Sequence, residues 1–267
     1  MTNYIPLLNK AIRHKIPRFF YAKYKEKLIM KALQDNFDPI EASKPFGLFL
    51  DERIVEYPWL ISKIKNIDGC LLDAGSVLNF NYLLHNTALR NKKIFISTLA
   101  PEKHAYWNYG ISYVYEDMRD ICYKDNYFDM VTCLSVIEHV GMDNTKLYTC
   151  DPLKNEQTPT TYLTLIAELR RVIKSGGTLF LTIPFGKHQN YGWLQVFDGS
   201  MVDLIIKEFK PSTCVESYFK YSRSGWESCS RTDAVDCEYF DVYDISYNHN
   251  SDRAVAAEAV VLLELRK

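Results

Sequence analysis

From Cys70 onward, short apolar runs alternate with longer segments of helical period, and this alternation constrains the chain more than any other feature. The runs Cys70–Ala74, Ile94–Thr98, Met130–Leu134 and Thr178–Ile183 have the length and texture of strands. Strands separated by helical patterns are the signature of a parallel sheet with crossover helices. Ahead of the last run, Tyr162, Leu165, Ile166, Leu169, Val172 and Ile173 fall on one helical face, and Gly176 and Gly177 end that helix and turn the chain into the strand. Near the C-terminus, Cys214–Tyr221 alternates weakly and Ala254–Leu265 is apolar, which predicts two more strands. Before the sheet, spacing predicts an amphipathic helix over Arg18–Gln34, a connecting loop over Asn36–Phe46, and a helix with Pro58 in its first turn. The expected division is a helical extension over 1–50 and a main domain over 51–267 with an insertion at about 221–253.

Composition excludes several functions. The 267 residues carry 32 basic and 33 acidic side chains, a net charge of −1, whereas nucleic-acid-coating proteins show a basic excess. No nucleic-acid partner is expected, and any anion site must be local. The first 31 residues hold eight basic residues against Glu26 alone, or +7, which leaves −8 on the rest. That basic stretch reads as a solvated helix face, a lid over an anionic ligand, or a contact with an acidic membrane surface. Seven scattered cysteines without a Cys-x-x-Cys pair read as buried thiols, not as a disulfide framework or zinc site, and no metal is expected. No apolar run reaches the length of a membrane span, so the reading is a cytoplasmic protein without a transmembrane segment; self-association is left open.

Leu71-Leu72-Asp73-Ala74-Gly75-Ser76 is an apolar run ending in Asp-x-Gly, as at the carboxyl end of the first strand in nucleotide-binding α/β domains. A glycine there lets backbone approach a ligand that a Cβ would repel. Glu116-Asp117-Met118, Phe128-Asp129-Met130-Val131, Glu138-His139-Val140 and Leu169-Arg170-Arg171-Val172-Ile173-Lys174-Ser175-Gly176-Gly177 follow in that order. With these segments the sequence resembles class I S-adenosylmethionine-dependent methyltransferases, over about 55–185 and the C-terminal strand. Within that superfamily Arg53-Ile54-Val55-Glu56-Tyr57-Pro58, Glu138-His139-Val140-Gly141 and Pro184-Phe185-Gly186 look like the branch found with bacterial capsule and lipopolysaccharide biosynthesis.

The resemblance implies a Rossmann-like α/β fold, a mostly parallel sheet of seven strands with helices on both faces, and S-adenosylmethionine as cofactor. It makes Asp73 and Gly75 the motif that holds the methionine part. Asp117 would accept from the adenine amine and Met118 would contact the ring, while Leu134 and Ser135 would line the end of the fourth strand. Val77 and Asn79 stand where the family has glycines, which predicts a more closed loop. Thr98 stands where the family has an acid that binds both ribose hydroxyls, with Glu102 as a substitute from the next turn.

For chemistry, His139 is the candidate base and His188 a second catalytic candidate. Lys187, Tyr191, Arg223 and Trp226 are candidates for acceptor binding, since aromatic faces stack on sugars and cationic groups bind phosphate. The expected activity is O-methylation of a small acceptor, a sugar hydroxyl or a phosphate-type oxygen such as a phosphoramidate, in surface-polysaccharide assembly. The rival is a non-catalytic protein that keeps this fold with a degenerate cofactor site.

Overall fold

A computed structural model describes residues 18–145, 151–241 and 256–267. The expectations placed on 1–17, on Cys150, and on the part of the insertion at 242–255 lie outside the described residues. Ten strands are present among the described residues: β1 (Cys70–Ala74), β2 (Lys93–Thr98), β3 (Ser112–Tyr115), β4 (Phe128–Leu134), β5 (Ile173–Pro184), β6 (Gln189–Asn190), β7 (Gln195–Val196), β8 (Thr213–Ser222), β9 (Gly225–Cys229) and β10 (Ala259–Arg266). Eight of them form one sheet in the order β3-β2-β1-β4-β5-β10-β8-β9, and β6 pairs with β7. The first five of that order pair in parallel and β10, β8 and β9 are antiparallel, so this is the Rossmann-like methyltransferase fold with one strand beyond the expected seven.

The extra strand arises where an insertion was expected. β8 continues to Ser222, turns through Arg223 and Ser224, and returns as β9. Gly225 makes this turn workable: its φ is +112°, and a Cβ there would clash with the Phe46 carbonyl. Phe46 and Trp226 exchange two backbone hydrogen bonds at 3.0 and 2.7 Å, which sews the segment before the main domain onto the edge of the sheet.

Seven α-helices surround the sheet among the described residues: α1 (Arg18–Gln34), α2 (Arg53–Ile64), α3 (Asn81–Leu84), α4 (Thr87–Arg90), α5 (Tyr162–Val172), α6 (Gly199–Phe209) and α7 (Arg231–Ala234). α1 buries Ile29 and Leu33, and Lys25 reaches Asp51 at 2.7 Å. α2 starts at Arg53, so Pro58 lies inside the helix and not in its first turn. The helix survives the lost N–H because it is held from outside: Tyr57, Trp59, Leu60 and Ile64 are buried, and Trp59 meets Phe180 edge-on at 5.8 Å. α5 buries the predicted face but ends at Val172, and Ile173 already belongs to β5. Gly176 and Gly177 do not form the expected junction of helix and strand; they fall in an irregularity of β5 where the register against β4 shifts between Phe128 and Met130. The cysteines are only partly buried: Cys133 is buried, whereas Cys122 and Cys214 are exposed.

Candidate active site

The strand order reverses at β1, with β2 on one side and β4 on the other, and ligands in such sheets bind outside the carboxyl ends at this point. A cleft of about 570 Å³, counting its open mouth, lies there. Gly75 after β1, Thr98 and Leu99 after β2, and Glu116 to Arg119 after β3 line one part of it. Val136, His139 and Gly141 after β4 line another.

The loop after β1 is closed around a carboxylate. Asp73 is fully buried and accepts from the amides of Val77 and Leu78 at 3.3 and 2.8 Å and from the Thr132 hydroxyl at 3.3 Å. Burial pushes its carboxyl up to about 7 against those hydrogen bonds. Asp73 therefore shapes the loop from below and does not itself line the cleft. Val77 and Asn79 complete the closure, Val77 through its amide and Asn79 by bonding the His104 carbonyl at 2.9 Å. Gly75 has a φ of +111° and a Cβ there would clash with Val136, so glycine is required where the cleft floor is formed. Next to it, Ser76 is in the left-handed region at φ +62°, with a buried hydroxyl that has no hydrogen-bond partner in the protein.

Two acids follow β3 and point to different partners. Asp117 takes three bonds from the Arg119 guanidinium, between 2.6 and 3.2 Å, and one from its amide at 3.0 Å, and Arg119 also grips Glu156 at 2.5 and 2.7 Å. These carboxylates hold the Arg119 guanidinium well above its ordinary value. Glu116 instead accepts from the Ser97 hydroxyl at 2.7 Å and the Cys122 amide at 2.9 Å. Arg119, Glu116 and Glu156 escaped the sequence reading. A salt bridge between residues 37 apart leaves no local pattern.

Beyond β4 the chain makes a single 3-10 turn, Ile137–His139, which His139 ends and does not begin. His139 Nδ1 lies 3.0 Å from the Trp193 carbonyl, an acceptor only, so Nδ1 carries the proton and Nε2 is the basic nitrogen. Burial lowers its pKa to about 4 and the Arg53 charge adds to this, so the ring is neutral near pH 7. Nε2 stands 4.0 Å from Glu138, whose other carboxylate oxygen is buried without a hydrogen-bond partner. Burial raises the Glu138 carboxyl far above its ordinary range.

Behind His139 is a buried hub that sequence reasoning missed. Glu56, fully buried, accepts from Arg53 at 2.5 Å, the Ser135 hydroxyl at 2.6 Å and the Thr182 hydroxyl at 2.5 Å. Arg53 also donates to the Leu134 carbonyl at 3.1 Å. The start of α2 and the ends of β4 and β5 are thus tied at one carboxylate. Leu134 and Ser135 serve this hub and do not line the cleft, because Leu134 is fully buried and Ser135, at φ +47°, turns its hydroxyl to Glu56.

The acceptor candidates separate. Tyr191 gathers near Trp193 and Tyr239, with ring centres 5.5 Å apart for Tyr191 and Tyr239 and 5.5 Å for His139 and Trp193. Lys187 is exposed and 3.5 Å from Glu238. His188 is exposed and bonds the Val196 carbonyl at 2.8 Å, in the β6–β7 hairpin and outside the cleft. Arg223 sits on the exposed β8–β9 turn. Trp226 is fully buried, with its indole N–H on the Leu50 carbonyl at 2.9 Å, so it packs the core and presents no face to an acceptor. Glu102 is not among the residues that line the cleft. Among the described residues no group of His, Cys, Asp and Glu is disposed to hold a metal, and no helix is long and apolar enough to cross a membrane.

Residues 75–181 match the family model described as methyltransferase domain. No curated protein matches the sequence. Among solved structures, the chain is similar to the 1,6-didemethyltoxoflavin-N1-methyltransferase of Burkholderia thailandensis at 12% identity, over 94% of this chain and 91% of that one, with a TM-score of 0.47. It is also similar to the YcgJ protein of Bacillus subtilis at 10% identity, over 79% and 98%, with a TM-score of 0.45. A third is the [4+2]-cyclase SpnF at 14% identity, over 92% and 94%, with a TM-score of 0.48. Likeness at this level says nothing of substrate. The matched segment starts directly after β1 and runs through β2, β3 and β4 into β5, so the methyltransferase-like stretch carries the loops that line the cleft, and the cofactor it implies is S-adenosylmethionine. Its residues fit the cofactor: Gly75 admits close approach, Met118 and Leu99 offer apolar walls for a base, and Glu116 and Asp117 supply acceptors.

Proposed function

We propose that the protein methylates a hydroxyl oxygen on a sugar-type acceptor, with His139 as base, in the assembly of a bacterial surface polysaccharide such as capsule. The observation that carries this reading is the state of His139: neutral, fixed in one tautomer by the Trp193 carbonyl, and in the wall of the cleft. When bound, S-adenosylmethionine supplies an electrophilic methyl group on a sulfonium sulfur. The methyl transfer is an in-line displacement, so alignment carries most of the rate, and the acceptor hydroxyl must lose its proton as its oxygen is alkylated. His139 Nε2 takes that proton, with the Glu138 carboxyl 4.0 Å away.

A hydroxyl is favoured over a phosphate-type oxygen by the charges around His139. Among the described residues, Arg53 is bound to Glu56, Arg119 to Asp117 and Glu156, and Lys187 to Glu238. The one described lysine or arginine in the cleft lining, Arg119, is thus already held by two carboxylates, and the half-buried rings of Tyr191 and Tyr239 stand near His139 through Trp193. Support for the polysaccharide setting comes from the sequence resemblance, whose Arg53–Pro58, Glu138–Gly141 and Pro184–Gly186 segments lie at the ends of β4 and β5.

The test is methyl transfer from labelled S-adenosylmethionine to a panel of nucleotide-activated sugars and sugar phosphates. His139→Gln is expected to lower kcat at least tenfold and to leave S-adenosylhomocysteine binding unchanged by calorimetry. An unchanged kcat would remove the base and favour an acceptor that is already anionic.

A further inference from the structure

The second strand ends in Thr98, a neutral hydroxyl, where the family resemblance leads one to expect a carboxylate for the ribose. A vicinal diol donates two hydrogen bonds at once, and an ionised carboxylate, which only accepts, is the side chain that matches it. A single threonine hydroxyl does not replace that pair of acceptors. The carboxylates that line the cleft are Glu116, Asp117 and Glu156. Asp117 and Glu156 both bind the Arg119 guanidinium, and the Glu156 amide is tied to the Met142 carbonyl in the segment after β4. Glu116 binds the other way. Its amide donates to the Thr98 carbonyl at 2.9 Å, and its side chain accepts from Ser97, the next-to-last residue of β2.

We propose that Glu116, supplied by β3, is the acceptor for the ribose hydroxyls of the cofactor, in place of an acid on β2. The proposal rests on the reading of this cleft as the S-adenosylmethionine site. Parallel pairing of β2 with β3 sets Thr98 opposite Tyr115, so the next residue, Glu116, stands at the level where β2 ends. Ser97 and the Cys122 amide each take one of its oxygens, which orients the carboxylate while leaving lone pairs on both oxygens for a ligand. Both of those donors are neutral, so the negative charge is not cancelled as it is for Asp117. Glu102 is a poorer candidate because it lies in the turn after β2, outside the lining of the cleft. The two neighbouring acids therefore divide the work: Glu116 takes the sugar and Asp117, held by Arg119, takes the base.

The experiment is calorimetric binding of S-adenosylhomocysteine and of its 2′-deoxy analogue to the full chain and to Glu116→Gln, with Glu102→Gln as control. The wild type is expected to bind the deoxy analogue at least tenfold more weakly. Glu116→Gln is expected to lose at least tenfold in affinity for S-adenosylhomocysteine and to stop discriminating between the two ligands, with Glu102→Gln unchanged. A Glu116→Gln protein that binds within twofold of wild type, or still discriminates, overturns the proposal and leaves the cofactor reading intact. A wild type that binds neither ligand at millimolar concentration overturns the cofactor reading as well. Thermal unfolding checks that the variant is folded; should it not be, Glu116→Asp, which keeps the charge and shortens its reach, is held to the same criterion.

Discussion

The two halves of the cleft are built differently. On the cofactor half, each contributing residue follows its own strand directly, and the strongest ties are half-exposed ion pairs, Asp117–Arg119 and Arg119–Glu156, whose arginine is 24% exposed. On the acceptor half, the ties are buried and distant in sequence: Glu56 meets Ser135, 79 residues away, and Thr182, 126 away. The first arrangement follows from strand order and short loops, and its ion pairs are partly solvated. The second depends on a desolvated carboxylate whose partners must all be present. The matched segment, 75–181, takes in Asp117, Ser135 and His139 alike, whereas Glu56 and Thr182 lie outside it.

That contrast can be broken at several points. Glu56→Ala should have the largest effect, roughly 3–5 kcal/mol in urea unfolding, because it strands Arg53 in a mostly buried site and orphans two hydroxyls. A loss below about 1 kcal/mol would mean the acceptor half is not held by this hub. Next is pH. His139 has a folded-state value of about 4 against an ordinary 6.5, a depressed value, so its contribution to stability is fully present above pH 6.5 and is lost as pH falls through 4. The loss should approach roughly 3 kcal/mol across that window and be absent in His139→Gln; parallel pH profiles for the two proteins would show that the ring is not held neutral. The smallest effect is expected on the cofactor half. Glu156→Gln should cost no more than about 1 kcal/mol by the same measurement, since the pair is partly solvated. A larger cost would make the two halves alike.

Much of the sheet was legible because its strands are buried on both faces and read as apolar runs. β1, β4 and β10 coincide with such runs, and α1 has the predicted bounds. β3 was missed because Ser112-Tyr113-Val114-Tyr115 is an edge strand with half-exposed and exposed side chains, so it lacks an apolar signature. β9, the five-residue return from β8, was missed because nothing local marks Trp226 as core; its bridge to Phe46 reaches back 180 residues. Among site residues, Gly75, Thr98, Asp117, Met118 and His139 do line the cleft. Asp73, Leu134 and Ser135 act beneath it: a buried polar group there is satisfied by the loop or by Glu56, and sequence does not say which way a side chain turns.

By itself the sequence determined the parallel sheet and the backbone loop at Gly75, since hydrophobic period and the φ preference of glycine act over a few residues, while the strand order followed from the family resemblance. The family resemblance implied Asp117 and Met118 as cleft residues, and both line it. Only the tertiary structure decided the protonation and orientation of His139, because these depend on the Trp193 carbonyl and on burial. It likewise decided that Glu56 is a hub, that Trp226 is core, and that Glu116 and Asp117, adjacent in the chain, face opposite partners. Electrostatics and desolvation are properties of what surrounds a group, and that surrounding is set by chain segments that meet only when the protein folds.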